Sequence, residues 1–357
     1  MNTRGLVSLL LGAALLNCAC DSSPRTTETE IRTPVPVGTA QSPRAAAQSR
    51  IQSAPAAQSG RVEPDKKLPP FAKSTYRAGP RVVAVGDLHG DYAATLEVLQ
   101  LVGATSDQNA WIGGALTLVQ TGDQLDRGDG ERAILDLLIR LKDQAEAAGG
   151  NVVILNGNHE TMNVGGDFRY VTERGFAEFE GADPRPLPET LLRQLPPNSH
   201  SRAAAFFPGG TYARRLAAHP VIAVVGDSVF AHGGVLMGHV EYGIDKLNSE
   251  VKQWLLGDGP APQEVLSPDA PVWTRLYSEG EPSEAACRQL SQVLQSLGVK
   301  RMVVGHTVQK LGITSGCEQK IWRIDVGMSS YYAGSSVSAL EISGGQVRVL
   351  QRQKRQK

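Results

Sequence analysis

RVVAVGDLHG (residues 81–90), LTLVQTGDQLDRG (116–128) and NVVILNGNHE (151–160) share one plan. Each is a short apolar run that stops at a glycine and is followed at once by acidic, imidazole or amide side chains. Runs of this length, rich in Val, Ile and Leu and bounded by glycine, predict strands buried on both faces. VIAVVG (221–226), RMVVG (301–305) and IWRIDVG (321–327) repeat the plan, and two more alternating strands are predicted near 336–342 and 346–350. Helical patterns lie between them, near 91–103, 129–148, 245–256 and 283–297. Strands alternating with helices predict an α/β fold, with the polar residues gathered in loops at the strand ends. Gly226, Asp227 and Ser228 are predicted to turn a hairpin. Residues 161–220, rich in Pro, Gly and charge, interrupt the alternation and are expected to form a cap or rim over the site.

Outward from this region the composition changes. Residues 5–16 are an apolar stretch preceded by Arg4 and too short to span a bilayer comfortably, so residues 1–20 read as a signal peptide. Cys18 and Cys20 sit at its end in a lipobox-like setting, with Cys20 preferred because small Ala19 precedes it; simple secretion is the alternative. Residues 21–78, crowded with Ser, Thr, Pro, Ala, Gln and Arg, cannot bury enough apolar surface to offset ordering and are expected to tether the folded domain, residues 79–350, to a membrane. The protein is thus expected in a bacterial cell envelope. There an oxidising compartment would permit Cys287 and Cys317 to pair, the alternative being two separate thiols. The 36 acidic and 36 basic residues balance, which excludes a global field for collecting nucleic acid.

The polar residues at the strand ends form one set: Asp87 and His89; Asp123, Asp126 and Arg127; Asn158, His159 and Glu160; His232; and His306. The donors are carboxylate, imidazole and amide, without a thiolate, a mixture suited to Mn²⁺, Fe²⁺ or Zn²⁺. They are too many for one catalytic ion with open positions. Two ions sharing a carboxylate would use them all, and such a pair clamps the attacking and leaving oxygens of a displacement at phosphorus. Each motif alone is weak, for a strand-end turn or an Asp–Arg ion pair is common; the ordered set is specific.

GDLHG, GDQLDRG, GNHE, HGG and GHT resemble, in that order, the signature of the calcineurin-like metallophosphoesterases, and more narrowly the phosphoprotein phosphatases. GNHETMNVGGDFRYV (157–171), VWTRLYS (272–278) and IDVGMS (324–329) resemble the Shewanella-like branch. The resemblance implies a central β-sandwich flanked by helices in four layers. It implies that Asp87, His89 and Asp123 hold one metal, and that Asp123 bridges to a second held by Asn158, His232 and His306. A hydroxide between the ions would attack in line. His159, oriented by Asp126, would protonate the leaving oxygen, while Arg127 and Arg275 would grip the phosphate. Tyr332 would lie nearby. Asp167 and Arg169 match the branch without an assigned role and read as a structural ion pair. The implied substrate is a phosphorylated protein, on Ser/Thr or Tyr. Dinucleoside polyphosphates, polyphosphate or a broad range of small phosphate esters are the alternatives.

Overall fold

The computed structural model describes residues 74–332 and 336–352. The signal peptide, both lipobox cysteines and the tether up to residue 73 lie outside the described residues. Eleven strands are described: β1 (Thr75–Tyr76), β2 (Arg81–Val85), β3 (Thr117–Gln120), β4 (Asn151–Ile154), β5 (Ile222–Val225), β6 (Ser228–Ala231), β7 (Arg301–Val304), β8 (Thr314–Gly316), β9 (Ile321–Arg323), β10 (Ser338–Ser343) and β11 (Gln346–Gln351). They form two sheets, of order β1-β5-β6-β7-β9-β8 and β11-β10-β2-β3-β4.

The side-chain alternation of each strand explains the layering. Val82, Ala84, Val119 and Val153 of one sheet meet Ala223, Val225, Phe230, Val303 and Trp322 of the other, forming a core between the sheets. Their sequence neighbours point outward. Val83, Val85, Leu118, Val152 and Ile154 pack under helices Tyr92–Leu101 and Glu131–Ala147. Ile222, Val229, Ala231, Met302 and Val304 pack under helices Ile244–Leu256 and Glu284–Leu297. The result is a helix–sheet–sheet–helix sandwich. Strands covered on both faces are apolar along most of their length, with polar residues such as Gln120, Arg301 and Arg323 at their ends, which is why these runs read as nearly continuously apolar.

Strands β2, β3 and β4 run parallel to one another, as do β6, β7 and β9. Their carboxyl ends deliver the polar loops, the place where open α/β sheets build sites. The expected hairpin is present as antiparallel β5–β6.

Two expectations need correction. The expected tether, residues 21–78, runs too far: Ser74 is buried and β1 pairs in parallel with β5, so the fold begins earlier. A two-residue strand is too short to leave a periodic signal. Asn158, His159 and Glu160 lie in the first turn of helix Asn158–Val164 rather than in a loop. Segment 161–220 contains four short helices, Glu173–Ala177, Glu189–Leu192, His200–Phe206 and Thr211–Leu216. Helices of one or two turns show little amphipathic period; Phe179, Phe206 and Tyr212 bury their rings together instead, with centroids 4.7, 4.9 and 5.7 Å apart.

Cys287 and Cys317 are joined in a disulfide with Cα atoms 5.3 Å apart, tying helix Glu284–Leu297 to the turn between β8 and β9. Closing a loop across a separation of 30 residues stabilises a fold by about 3–4 kcal/mol in the chain-entropy account. Denaturant unfolding of the Cys287→Ala/Cys317→Ala variant should show a loss of that order, and reductant should lower the stability of the wild type alone. Equal stability of variant and wild type would contradict the pairing.

Candidate metal centre

The site lies where the carboxyl ends of the two sheets meet. After β2 the chain turns through Asp87 and His89, and after β3 through Asp123, Asp126 and Arg127. His89, Asp123, Asp126, Arg127 and His306 all have positive φ, between 43° and 68°. Non-glycine residues held in this region cluster at functional sites, where surrounding contacts over-determine the backbone. The β2 and β3 loops are bound together, the N–H groups of Leu88 and His89 both donating to the Asp123 carbonyl at 2.9 Å. Gly90 permits their approach: its φ is +62°, and a Cβ there would lie 2.7 Å from the Gly128 carbonyl carbon.

Glu160 closes the floor. Its carboxylate accepts from the backbone N–H groups of Gly157 (2.7 Å), Asp123 (2.8 Å), Gln124 (2.8 Å) and Leu125 (3.2 Å). One buried side chain thereby shapes the turn carrying Asp123 and the start of the helix carrying Asn158 and His159.

Asp123 stands between two groups of donors. On one side His89 Nε2 lies 3.7 Å from Asp123 Oδ2 and 3.8 Å from Asp87 Oδ2. On the other, His232 Nε2 lies 3.1 Å from Asp123 Oδ2, 2.9 Å from Asn158 Oδ1 and 3.2 Å from His306 Nδ1. The second ring nitrogens are committed. His89 Nδ1 meets the Leu125 carbonyl at 3.1 Å and His232 Nδ1 meets the Thr121 carbonyl at 2.9 Å. Backbone partners of this kind fix the tautomer and aim the other nitrogen at a metal. The backbone N–H of His306 donates to both Asp87 oxygens at 3.2 Å, tying the two sheets together at the site.

The electrostatics suit a cation. Burial, followed by the charges of Asp325 and Asp123, pushes Asp87 well above the usual carboxylate range. Burial holds His89 down to about 3 and, with the charges of His232 and Arg275, His306 to about 2, which favours the neutral imidazole a metal needs. Burial also works against the charged form of His232, but Asp123 and Asp87 override it and raise that imidazole to about 10. These carboxylates attract positive charge strongly, and a divalent cation would take the place of that proton. Asp325, just past β9, is buried with Oδ2 unpartnered. His89 with Asp123, and Asp123 with His232 and His306, could each hold an ion. His159 also reaches the first group, with Nε2 3.7 Å from Asp123 Oδ2, but its Nδ1 is bound to Asp126 Oδ2 at 2.5 Å. That arrangement is one of a side chain aimed for proton transfer.

Arg127 Nη1 lies 2.9 Å from His89 Nε2 and also contacts the Tyr332 hydroxyl. Its guanidinium carbon stands 5.2, 5.5 and 5.4 Å from the ring centres of Tyr170, Tyr331 and Tyr332. Arg275 packs beside the site, donating to the His306 carbonyl at 3.0 Å and to Thr307 Oγ1 at 2.8 Å. The ten strand-end residues of the sequence set are therefore gathered at one place, with Arg275 and Tyr332 beside them. Asp167 and Arg169 form an exposed ion pair at 2.6 Å, as expected. The sequence reading left Asp325, Tyr170 and the role of Glu160 unassigned. Asp325 carried the same signal as the rest, a polar residue at the end of an apolar run. Tyr170 lies inside the family-like stretch GNHETMNVGGDFRYV, but nothing in that stretch marks its ring for the site.

The profile of the calcineurin-like phosphoesterases matches residues 80–310. The chain belongs to that family, whose members use divalent metals and hydrolyse phosphoesters. It is similar to Shewanella-like protein phosphatase 2 of Arabidopsis thaliana, 40% identical over 292 residues that cover 73% of this chain and 75% of the relative. Shewanella-like protein phosphatase 1 of Plasmodium berghei is 29% identical, with 70% and 68% covered. Among solved structures, the cold-active protein-tyrosine phosphatase of a psychrophilic Shewanella superposes with a TM-score of 0.62 at 27% identity, covering 79% of this chain and 83% of that one.

Replacing Glu160 by Gln would set an amide N–H₂ against backbone donors and remove charge-assisted hydrogen bonds. Urea unfolding of the metal-depleted protein should show a loss of about 2–3 kcal/mol. A loss below about 0.5 kcal/mol would contradict the role given to this side chain, since surface substitutions already reach that size.

Proposed function

We propose that this chain is a two-metal protein phosphatase that prefers phosphotyrosine. Asp87, His89 and Asp123 would hold one cation; Asp123, Asn158, His232 and His306 would hold the second. Mn²⁺ is the first candidate, with Fe²⁺ or Zn²⁺ as others. When bound, two such ions supply a nucleophile at neutral pH and Lewis acidity toward the phosphoryl oxygens. The protein side chains do the rest. Arg127, a planar fork, binds two phosphoryl oxygens, and Arg275 offers further positive charge at the mouth. His159 Nε2 donates its proton to the departing oxygen as the P–O bond breaks, and Asp126 holds the ring in position from Nδ1.

The observation that carries the tyrosine preference is the set of three tyrosine rings around Arg127. Tyr170 is also 5.1 Å from the His159 ring, so an aromatic wall stands beside both the phosphate-binding arginine and the proton donor. A flat phenol leaving group can pack against such rings, which is worth about 0.5–1.5 kcal/mol per pair; a serine or threonine side chain gains less. The solved relatives titled protein-tyrosine phosphatases are consistent with this preference.

We also propose export to a cell envelope, supported by the apolar leader ending at Cys18 and Cys20 and by the Cys287–Cys317 disulfide, a bond typical of oxidising compartments. Mass spectrometry of the mature N-terminus tests it: a lipid-modified cysteine supports anchoring, and an intact Met1 contradicts export.

Phosphate release with Mn²⁺ should favour a phosphotyrosine peptide over a phosphothreonine peptide of the same sequence by at least about tenfold in kcat/KM. Tyr170→Ala and Tyr331→Ala should each narrow that preference by about 2–10-fold. His159→Asn should lower kcat on the peptide by about 10²–10⁴-fold. Equal turnover of the two peptides would remove the tyrosine preference. Turnover of a dinucleoside tetraphosphate alone would replace the protein-phosphatase reading.

A further inference from the structure

Arg202 has no polar surface left to offer a substrate. It lies on helix His200–Phe206, inside segment 161–220, and is 0% exposed. Every N–H group of its guanidinium is engaged. Nε donates to Asn163 Oδ1 at 2.7 Å; Nη1 donates to Glu131 Oε2 and to the Gly175 carbonyl (3.0 Å); Nη2 donates to Glu131 Oε1 (2.9 Å) and Asp126 Oδ1 (3.3 Å). The rings of Phe179 and Phe206, each centred 5.1 Å from the guanidinium carbon, help to enclose it. The group is fixed by hydrogen bonds at its edges and by aromatic packing around it.

A buried guanidinium carries a large desolvation cost. Its partners here belong to the catalytic loop as well as to the segment's own core. Glu131 also accepts from the backbone N–H of Asp126, so the pair holds both main chain and side chain of that residue. Asn163 completes the arrangement, accepting from Arg202 and donating to Asp126 Oδ1 at 3.0 Å. With Oδ1 taken by Arg202 and Asn163, Oδ2 faces His159 Nδ1 at 2.5 Å. The chain Glu131–Arg202–Asp126–His159 alternates in sign when the imidazole is charged.

We infer that Arg202, working with Glu131 and Asn163, is a positioning residue for proton donation by His159, acting through the orientation of Asp126. The inference rests on the proposed role of His159 as proton donor. It gives segment 161–220 a second task besides carrying Tyr170: it reaches beneath the β3 loop and fixes the donor's geometry. An arginine serving only to pack the segment would affect every substrate alike. One that aims a proton donor matters most where the leaving oxygen needs a proton.

The test compares phenyl phosphate, whose leaving group needs a proton, with 2,4-dinitrophenyl phosphate, whose stabilised phenolate departs without one. For Arg202→Met in the full-length chain, kcat on phenyl phosphate should fall by about 10²-fold, the scale of a lost general acid. On the dinitrophenyl ester it should fall by less than about threefold, with metal content unchanged. His159→Asn should show the same selectivity. Arg202→Lys, which keeps the charge but cannot serve Glu131, Asn163 and Asp126 at once, should fall between wild type and Arg202→Met, and it carries the test should Arg202→Met fail to fold. Equal losses on the two esters, or none, would overturn the inference. A second readout is independent of turnover: in a denaturant-unfolding cycle of Arg202→Lys with Asp126→Asn, the two changes should be non-additive. Additive losses overturn the inference even in a protein active on neither ester. If coupling is found but His159→Asn leaves both ester rates unaltered, the proton-donor role fails and the inference with it.

Discussion

A single buried carboxylate connects most of the site. The Asp123 main-chain carbonyl receives the β2 loop at Leu88 and His89, its N–H is held by Glu160, and its Oδ1 accepts the N–H of His159. Its Oδ2 is then left facing His232 at 3.1 Å, and His89 and His159 at 3.7 Å each. Burying such a charge is costly unless positive charge compensates it. The imidazoles supply part of that compensation, pulling Asp123 well below the usual carboxylate range against the opposing effect of burial. Both sheets contribute: Asp87, His89, Asp123 and Asn158 follow strands of one, and His232, His306 and Asp325 follow strands of the other. The sandwich exists, in functional terms, to bring these two rows of loops edge to edge.

The sequence made the core layers and the site readable for one physical reason. Strands buried on both faces are apolar along most of their length, so the polar residue at the end of each run stands out. Asp87, Asp123, His232 and His306 were visible in this way, and the order of their motifs added the family resemblance. The same rule applies to Asp325, which ends an apolar run inside IDVGMS, a stretch that carries the resemblance without giving its aspartate a role. What stayed hidden depends on contacts remote in sequence. Arg202 lies 76 residues from Asp126, and nothing in HSRAAAF marks its arginine as buried. β1 pairs with β5 across more than a hundred residues, and its two residues adjoin a stretch whose composition suggests a tether. The short helices of segment 161–220 owe their place to aromatic packing among Phe179, Phe206 and Tyr212, not to any period of their own.

In the proposed mechanism, segment 161–220 serves specificity and chemistry together. Tyr170, near its start, places a ring against Arg127 and His159 at the mouth. Arg202, further along, is sealed beneath the same loop, where it binds Asp126. The two are linked through the catalytic loop itself, since the N–H of Arg127 donates to the Tyr170 carbonyl at 2.9 Å. The surface proposed to meet the leaving group and the network proposed to aim the proton donor are thus joined to one short stretch of backbone.

The central claim is that Asp123 is shared by two metal ions. Metal analysis of chelator-stripped protein reconstituted with Mn²⁺, paired with anomalous diffraction from the same material, tests it most directly. The expected result is two ions per chain, one on either side of Asp123, falling to one or none in Asp123→Asn. A single ion in the wild type, or two ions retained in the variant, would contradict the account.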